Sequence, residues 1–212
     1  MRNIPFFDTQ YGVASLVLKE IPYTQTAYIT VHETQELPRL LEECVDFCRA
    51  VGAEHIYAKG HEDLAVYPVY MQVLQMAAST KSWEHTDGAL TPVTEETLKS
   101  WCDIYNKRMS QVDNAAYMTA LDARKLLKEN SAFFVTLNGQ TVAILLASEG
   151  KLLALASIRP GGGRNGLLAL KAHFQWEQVI LEVASTNHRA IALYKELGFE
   201  TKSVLSQWHK IL

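Results

Sequence analysis

QVILEVASTNHRAIALYKELGF, residues 178–199, is the stretch from which the rest of the chain can be read. Val179, Ile180, Leu181 and Val183 form a short apolar run rich in β-branched residues, bounded by Gln178 and by Ser185-Thr186-Asn187. Such a run predicts a buried strand. A helix pattern follows at once. Ala190, Ile191, Leu193, Tyr194 and Leu197 recur at three- and four-residue steps and share one face. Asn187 stands where an N-cap belongs, Lys195 lies in the last turn, and Gly198 fits the C-cap. Phe199 opens a further strand.

Upstream, the string Arg159-Pro160-Gly161-Gly162-Gly163-Arg164-Asn165-Gly166 reads as a glycine-rich loop, with a helix over 167–174. Glycines let a backbone come close to a phosphate, and amides at a following helix N-terminus point at it. Arg164 adds a charge-assisted contact. Residues 151–158 before the loop are nearly all apolar and predict a central strand. Strands over 131–137 and 141–148 are joined by Asn138-Gly139, a hairpin turn signal. Two helices precede them, one starting at Thr94 and one over about 114–129, with a break near Asp113-Asn114.

The string Asn187-x-x-Ala190-x-x-Leu193-Tyr194-x-x-Leu197-Gly198-Phe199 resembles the C-terminal motif of the GCN5-related N-acetyltransferases, the GNAT family. With Leu181-Glu182-Val183 before it, the stretch is most similar to the protein N-terminal alanine acetyltransferases among them. The loop resembles the family's pyrophosphate motif, Arg/Gln-x-x-Gly-x-Gly/Ala, with departures. Aligned through Gly166, Gly163 stands at the Arg/Gln position and Leu168 at the last small one. Aligned through Arg164, Ala169 fits the end but Leu167 replaces the middle glycine. The resemblance implies an α/β (α+β) acyl-CoA N-acyltransferase fold: a mixed, mostly antiparallel sheet flanked by helices.

It also implies acetyl-CoA as co-substrate. The loop residues Gly161, Gly162, Gly163, Arg164, Asn165 and Gly166 would hold the pyrophosphate. Backbone groups of Ala156, Ser157 and Ile158 would pair with the pantetheine arm where two strands part, and an amide there would polarise the acetyl carbonyl. Asn187 would contact the cofactor. Acetyl transfer to an amine needs loss of an amine proton, oxyanion stabilisation, and protonation of the leaving thiolate. By resemblance Tyr194 is the general acid and Glu182 the base. A carboxylate within an apolar strand is costly unless paired or titrating, which supports a role for Glu182. Strand 151–158 carries no carboxylate, so Glu149 just before it is the substitute base, acting through a water.

The first part of the chain reads differently. Strands over 12–20, 26–31, 55–58 and 67–76, with a helix over 33–50, resemble the later half of a GNAT domain, but no glycine loop and no Asn…Leu-Tyr motif appear. Residues 1–88 are expected to be a degenerate half-copy without a cofactor and 89–212 the acetyltransferase domain, joined through the polar segment 79–92.

The 212 residues suffice for one sizeable domain or two small ones. Residues 1–95 hold 6 Lys and Arg against 13 Asp and Glu; residues 96–212 hold 14 against 10. The mildly basic part is the one with the motif, which suits a polyphosphate ligand. A net charge of −3 gives no argument for nucleic acid. The N-terminal MRNIPFFDTQ lacks a signal-peptide layout, and no stretch approaches a membrane span. Cys44, Cys48 and Cys102 have no zinc or redox spacing and read as reduced thiols of a cytosolic protein. His55, His61, Glu62 and Asp63 fit no standard zinc or calcium site. The leading expectation is a cytoplasmic N-acetyltransferase acting on a primary amine by direct attack, a small molecule being favoured over a protein N-terminus, with a homodimer left open. The alternatives are an acyl-CoA-binding module without turnover and a structural protein with a vestigial site.

Overall fold

A computed structural model describes residues 5–110, 112, 113 and 115–212. The chain forms two compact units: residues up to Val73 together with Val204–Leu212, and Leu74–Ser203.

The first unit contains β1 (Phe6–Thr9), β2 (Gly12–Val17), α1 (Ile21–Thr24), β3 (Thr26–Thr34), α2 (Leu37–Ala50), β4 (His55–Lys59) and a 3-10 turn (Glu62–Val66). β1, β2 and β3 form an antiparallel meander, and α2 crosses over to place β4 parallel to β3, Ile29 opposite Ala58. Leu40, Leu41, Cys44 and Cys48 recur on one face of α2 and are buried against Ala27, Ile29, Ile56 and Ala58. The predicted helix start at Glu33 lies inside β3, which runs on to Thr34. Pro38 sits in the first turn of α2, where its missing N–H costs nothing, so the helix begins at Leu37. β1 was not predicted; its four residues are mostly exposed and give no buried alternation to read.

The chain passes into the second unit within β5 (Val69–Ser79). There follow β6 (Ala89–Pro92), α3 (Glu95–Met109), α4 (Ala120–Glu129), β7 (Ala132–Leu137), β8 (Gln140–Ser148) and β9 (Lys151–Ser157). α5 (Gly162–Phe174), β10 (Gln178–Ala184), α6 (His188–Glu196) and β11 (Glu200–Lys210) complete the chain, β11 returning into the first unit after Ser203. The sheet order is β6-β7-β8-β9-β10 followed by the end of β5. β6 to β9 are antiparallel, and α5 crosses over to set β10 parallel to β9. Alternation along β8 divides the core. Ala143, Leu145 and Ala147 meet α5 residues such as Leu167 and Leu170, while Ile144 and Leu146 meet Trp101 and Tyr105 of α3. The fully buried Trp101 also donates its indole N–H to Phe133 O at 3.1 Å, fixing α3 on β7.

Three sequence expectations shift here. The predicted linker 79–92 contains β6, a short edge strand whose Pro92 is tolerated because it lies at the sheet edge. α4 begins at Ala120 rather than near 114, with Thr119 as its N-cap accepting from Asp122 N; Asn114 itself is outside the described residues. Most consequentially, the predicted glycine loop is largely helix: α5 starts at Gly162 instead of Leu167.

Candidate functional site

β8 and β9 stay paired as far as Ala143–Ser157, whereas β9 and β10 pair only at Lys151–Ile180 and Leu152–Leu181. A register shift between Leu146 and Ala147 leaves Leu153 as an extra, exposed residue of β9. Such a bulge bends its strand and locally interrupts the ladder. The parted strands open a cleft of about 560 Å³, with Leu155, Ala156 and Ser157 on one side and Asn187 and Tyr194 of α6 on another.

The floor is the start of α5. Gly161 is its N-cap, in the left-handed region at φ 76°, and no side chain caps the helix. Gly162 N donates to Arg159 O and Asn165 N to Gly161 O, whereas the amides of Gly163 and Arg164 have no hydrogen-bond partner among the described residues. Helix-start amides left open in this way form an anion cradle. The glycines also serve packing. A Cβ on Gly162 would lie 2.1 Å from Val142 O, one on Gly163 2.8 Å from Leu193 Cδ2, and one on Gly166 2.8 Å from Leu155 Cδ1. Gly161, Gly163 and Arg164 line the cleft; Gly162 and Gly166 are buried where helix meets sheet. Asn165 turns inward on the loop, donating from Nδ2 to Gly161 O.

Tyr194 is buried at 7 % exposure, with its ring 5.4 Å from that of Phe199. Burial pushes its hydroxyl up to about 12 from an ordinary 10. The hydroxyl makes no hydrogen bond among the described residues, and the side chain lines the cleft. Asn187 caps α6 as predicted, its Oδ1 accepting from Ala190 N at 3.2 Å, and it too faces the cleft. Ile158 does not line the cleft: its amide donates to Val142 O at 2.8 Å, and its carbonyl accepts from Arg108 Nη2 at 3.1 Å.

The two predicted bases stand apart from this group. Glu182 is an exposed residue of β10 between the buried Leu181 and Val183, so its side chain leaves the opposite face of the strand from theirs. Glu149 sits at φ 50° in the β8–β9 turn, at the start of β9, whereas the cleft is at its end. Neither lines the cleft, whose only carboxylate among the described residues is Glu196. Sequence reading missed Lys107, Arg108 and Arg189, which do line it. Lys107-Arg108 looks in sequence like an ordinary basic helix C-terminus; only folding brings it to the end of β9.

A second cavity of about 540 Å³, between Trp83, Lys171 and Trp176, shares no residue with the predicted site. Among the described residues no group of three His, Cys, Asp or Glu side chains is arranged to hold a metal, and no helix is long and apolar enough to cross a membrane.

No protein-family model matches the chain, and no curated protein matches its sequence. Solved structures do match. A GCN5-related N-acetyltransferase from Sphaerobacter thermophilus superposes with a TM-score of 0.61 at 11% identity, over 94% of this chain and 76% of that one. One from Kribbella flavida gives 0.56 at 14% identity, over 99% and 89%. A conserved protein of unknown function from Staphylococcus epidermidis gives 0.56 at 12% identity, over 99% and 94%. These likenesses span both units, so the chain has the fold of the GCN5-related N-acetyltransferases.

Proposed function

We propose that the protein is an N-acetyltransferase that uses acetyl-CoA and acetylates a primary amine by direct attack. The observation that carries this reading is the convergence, in one cleft, of the β9 edge freed by the strand parting, the open amides of Gly163 and Arg164, and the unpartnered Tyr194 hydroxyl. The residues fit the cofactor. The open amides and an excess of cations, Lys107, Arg108 and Arg189 against Glu196, suit its phosphates. The edge of Leu155–Ser157 suits a chain of amides that pairs as an added strand. When bound, acetyl-CoA supplies an activated thioester.

The amide of Ser157, which alternation along β9 turns away from β8, would donate to the oxygen on which negative charge develops, a fixed dipole needing no reorganisation. Tyr194 would donate to the departing sulfur. A thiol titrates near 8.5, so full transfer from a phenol at about 12 is uphill by three to four pK units, roughly 5 kcal/mol. Tyr194 therefore acts chiefly as a hydrogen-bond donor, with the proton moving only as the bond to sulfur breaks. For the incoming ammonium, Glu182 would act through a water-relayed transfer, since its side chain is exposed on β10 and does not line the cleft.

The first unit repeats the connectivity of the second: β1-β2-β3-α2-β4 follows the same two antiparallel steps and parallel helix crossover as β7-β8-β9-α5-β10. This supports reading it as a partial copy of the fold. At the start of α2 the glycines are replaced by Glu36, Leu37 and Pro38, with Glu36 paired to Arg39 at 3.6 Å. A carboxylate and a proline at a helix start disfavour a phosphate there.

The test is thiol release from acetyl-CoA across a panel of small amines and short peptides, with acetylated products identified by mass spectrometry. Turnover with any amine supports the reading. Cofactor binding without thiol release would favour the second reading, an acyl-CoA-binding module, for which the position of both Glu182 and Glu149 outside the cleft lining is the supporting observation.

A further inference from the structure

The loop's own arginine is already engaged. Arg164 Nη2 lies 2.8 Å from Glu84 Oε2, in an ion pair that offsets its charge. Arg108, at the end of α3, donates from Nη2 to Ile158 O at 3.1 Å and makes no ion pair among the described residues. Ile158 is the residue immediately before the Arg159–Gly161 turn, so this bond fixes an unneutralised guanidinium next to the anion cradle. A guanidinium has five N–H donors, and one bond to a carbonyl leaves the others free for an oxyanion. The neighbouring cations Lys107 and Arg189 line the same cleft, but among the described residues neither side chain is hydrogen-bonded to the turn.

We infer that Arg108, reaching across from α3, supplies the cation for the pyrophosphate in place of the loop's own Arg164. The inference rests on the acetyl-CoA reading of the cleft.

Calorimetric titration of the full chain with CoA, dephospho-CoA and pantetheine tests this, on the unaltered protein and on Arg108→Gln, Arg108→Lys and Arg164→Gln. Charge-assisted hydrogen bonds of this kind predict a loss of about ten- to hundredfold in affinity for CoA and for dephospho-CoA in Arg108→Gln. The same variant should show a shallower dependence on salt and unchanged affinity for pantetheine, which has no pyrophosphate. Arg108→Lys should recover part of the loss, and Arg164→Gln should fall by less than Arg108→Gln. A loss for pantetheine equal to that for CoA would mean that Arg108 merely shapes the end of β9, and would overturn the inference. So would a loss confined to CoA, which would assign Arg108 to the 3′-phosphate, or CoA binding that Arg108→Gln leaves intact. Failure of the unaltered protein to bind CoA would instead overturn the cofactor reading beneath it. Arg108 is exposed, and a melt of each variant without ligand separates folding from binding.

Discussion

Tyr194 links burial to chemistry at a single residue. Its hydroxyl is held up to about 12 by loss of solvent and keeps its proton at any ordinary pH. Tyr194→Phe should therefore lower kcat by about ten- to hundredfold, at the low end of acid–base effects, with little change in the affinity for acetyl-CoA. Steady-state kinetics beside a direct binding titration would check it, and a fall in affinity with kcat unchanged would remove Tyr194 from the chemistry. The same shift has a consequence for stability. A pKa raised on folding gives support that is complete below the unfolded value near 10 and is lost as pH rises toward about 12. Denaturant titrations at pH 9 and pH 11 should show this alkaline loss in the unaltered protein and a smaller one in Tyr194→Phe. At the same scale, burial raises Cys44 to about 12 and Cys48 to about 11, the charge of each neighbour adding to the rise at Cys44. Both thiols should resist alkylation at pH 8 in the native protein and react once it is unfolded, since only the thiolate attacks. Mass spectrometry after a timed pulse would read this.

α5 is the element in which sequence propensity and tertiary structure disagree. Four glycines among its cap and first five residues are poor helix formers, and their pattern reads as a loop. The helix forms because the sheet demands it. Gly162 lies so close to Val142 O that no side chain fits, and the helix start must come that near for its amides to face the cleft. Gly162→Ala should cost about 1–3 kcal/mol through a forced backbone shift, whereas Gly198→Ala, in open space but at φ 81°, should cost about 1–2 kcal/mol from left-handed strain alone. If the Gly162→Ala protein melts as the unaltered one does, the close packing of α5 on β8 is not what fixes its start. β9 teaches a related point. Its apolar run marks it as central, but the bulge at Leu153 and the parting from β10 depend on pairing partners far along the chain.

Over the whole molecule, ligand linkage gives the broadest test. At about a hundredfold its dissociation constant, acetyl-CoA should stabilise the protein by about 2.7 kcal/mol, read as a raised melting midpoint. No rise would remove the cofactor from the cleft and leave the fold without its proposed activity.

The sequence by itself determined the β10–α6 unit, the N-cap at Asn187, the cleft tyrosine and the fold, because these rest on local periodicity and capping that few neighbours can override. Only the tertiary structure decided the rest. Glu149 looks adjacent to the site because it precedes β9, but strand direction puts it at the wrong end. Arg164 looks like the phosphate cation, but Glu84, distant in sequence, claims it. Arg108 carries no signal in sequence and reaches the cleft because α3 packs through Trp101 across the sheet. Charge pairing and strand parting join residues far apart in the chain, and no local pattern records them.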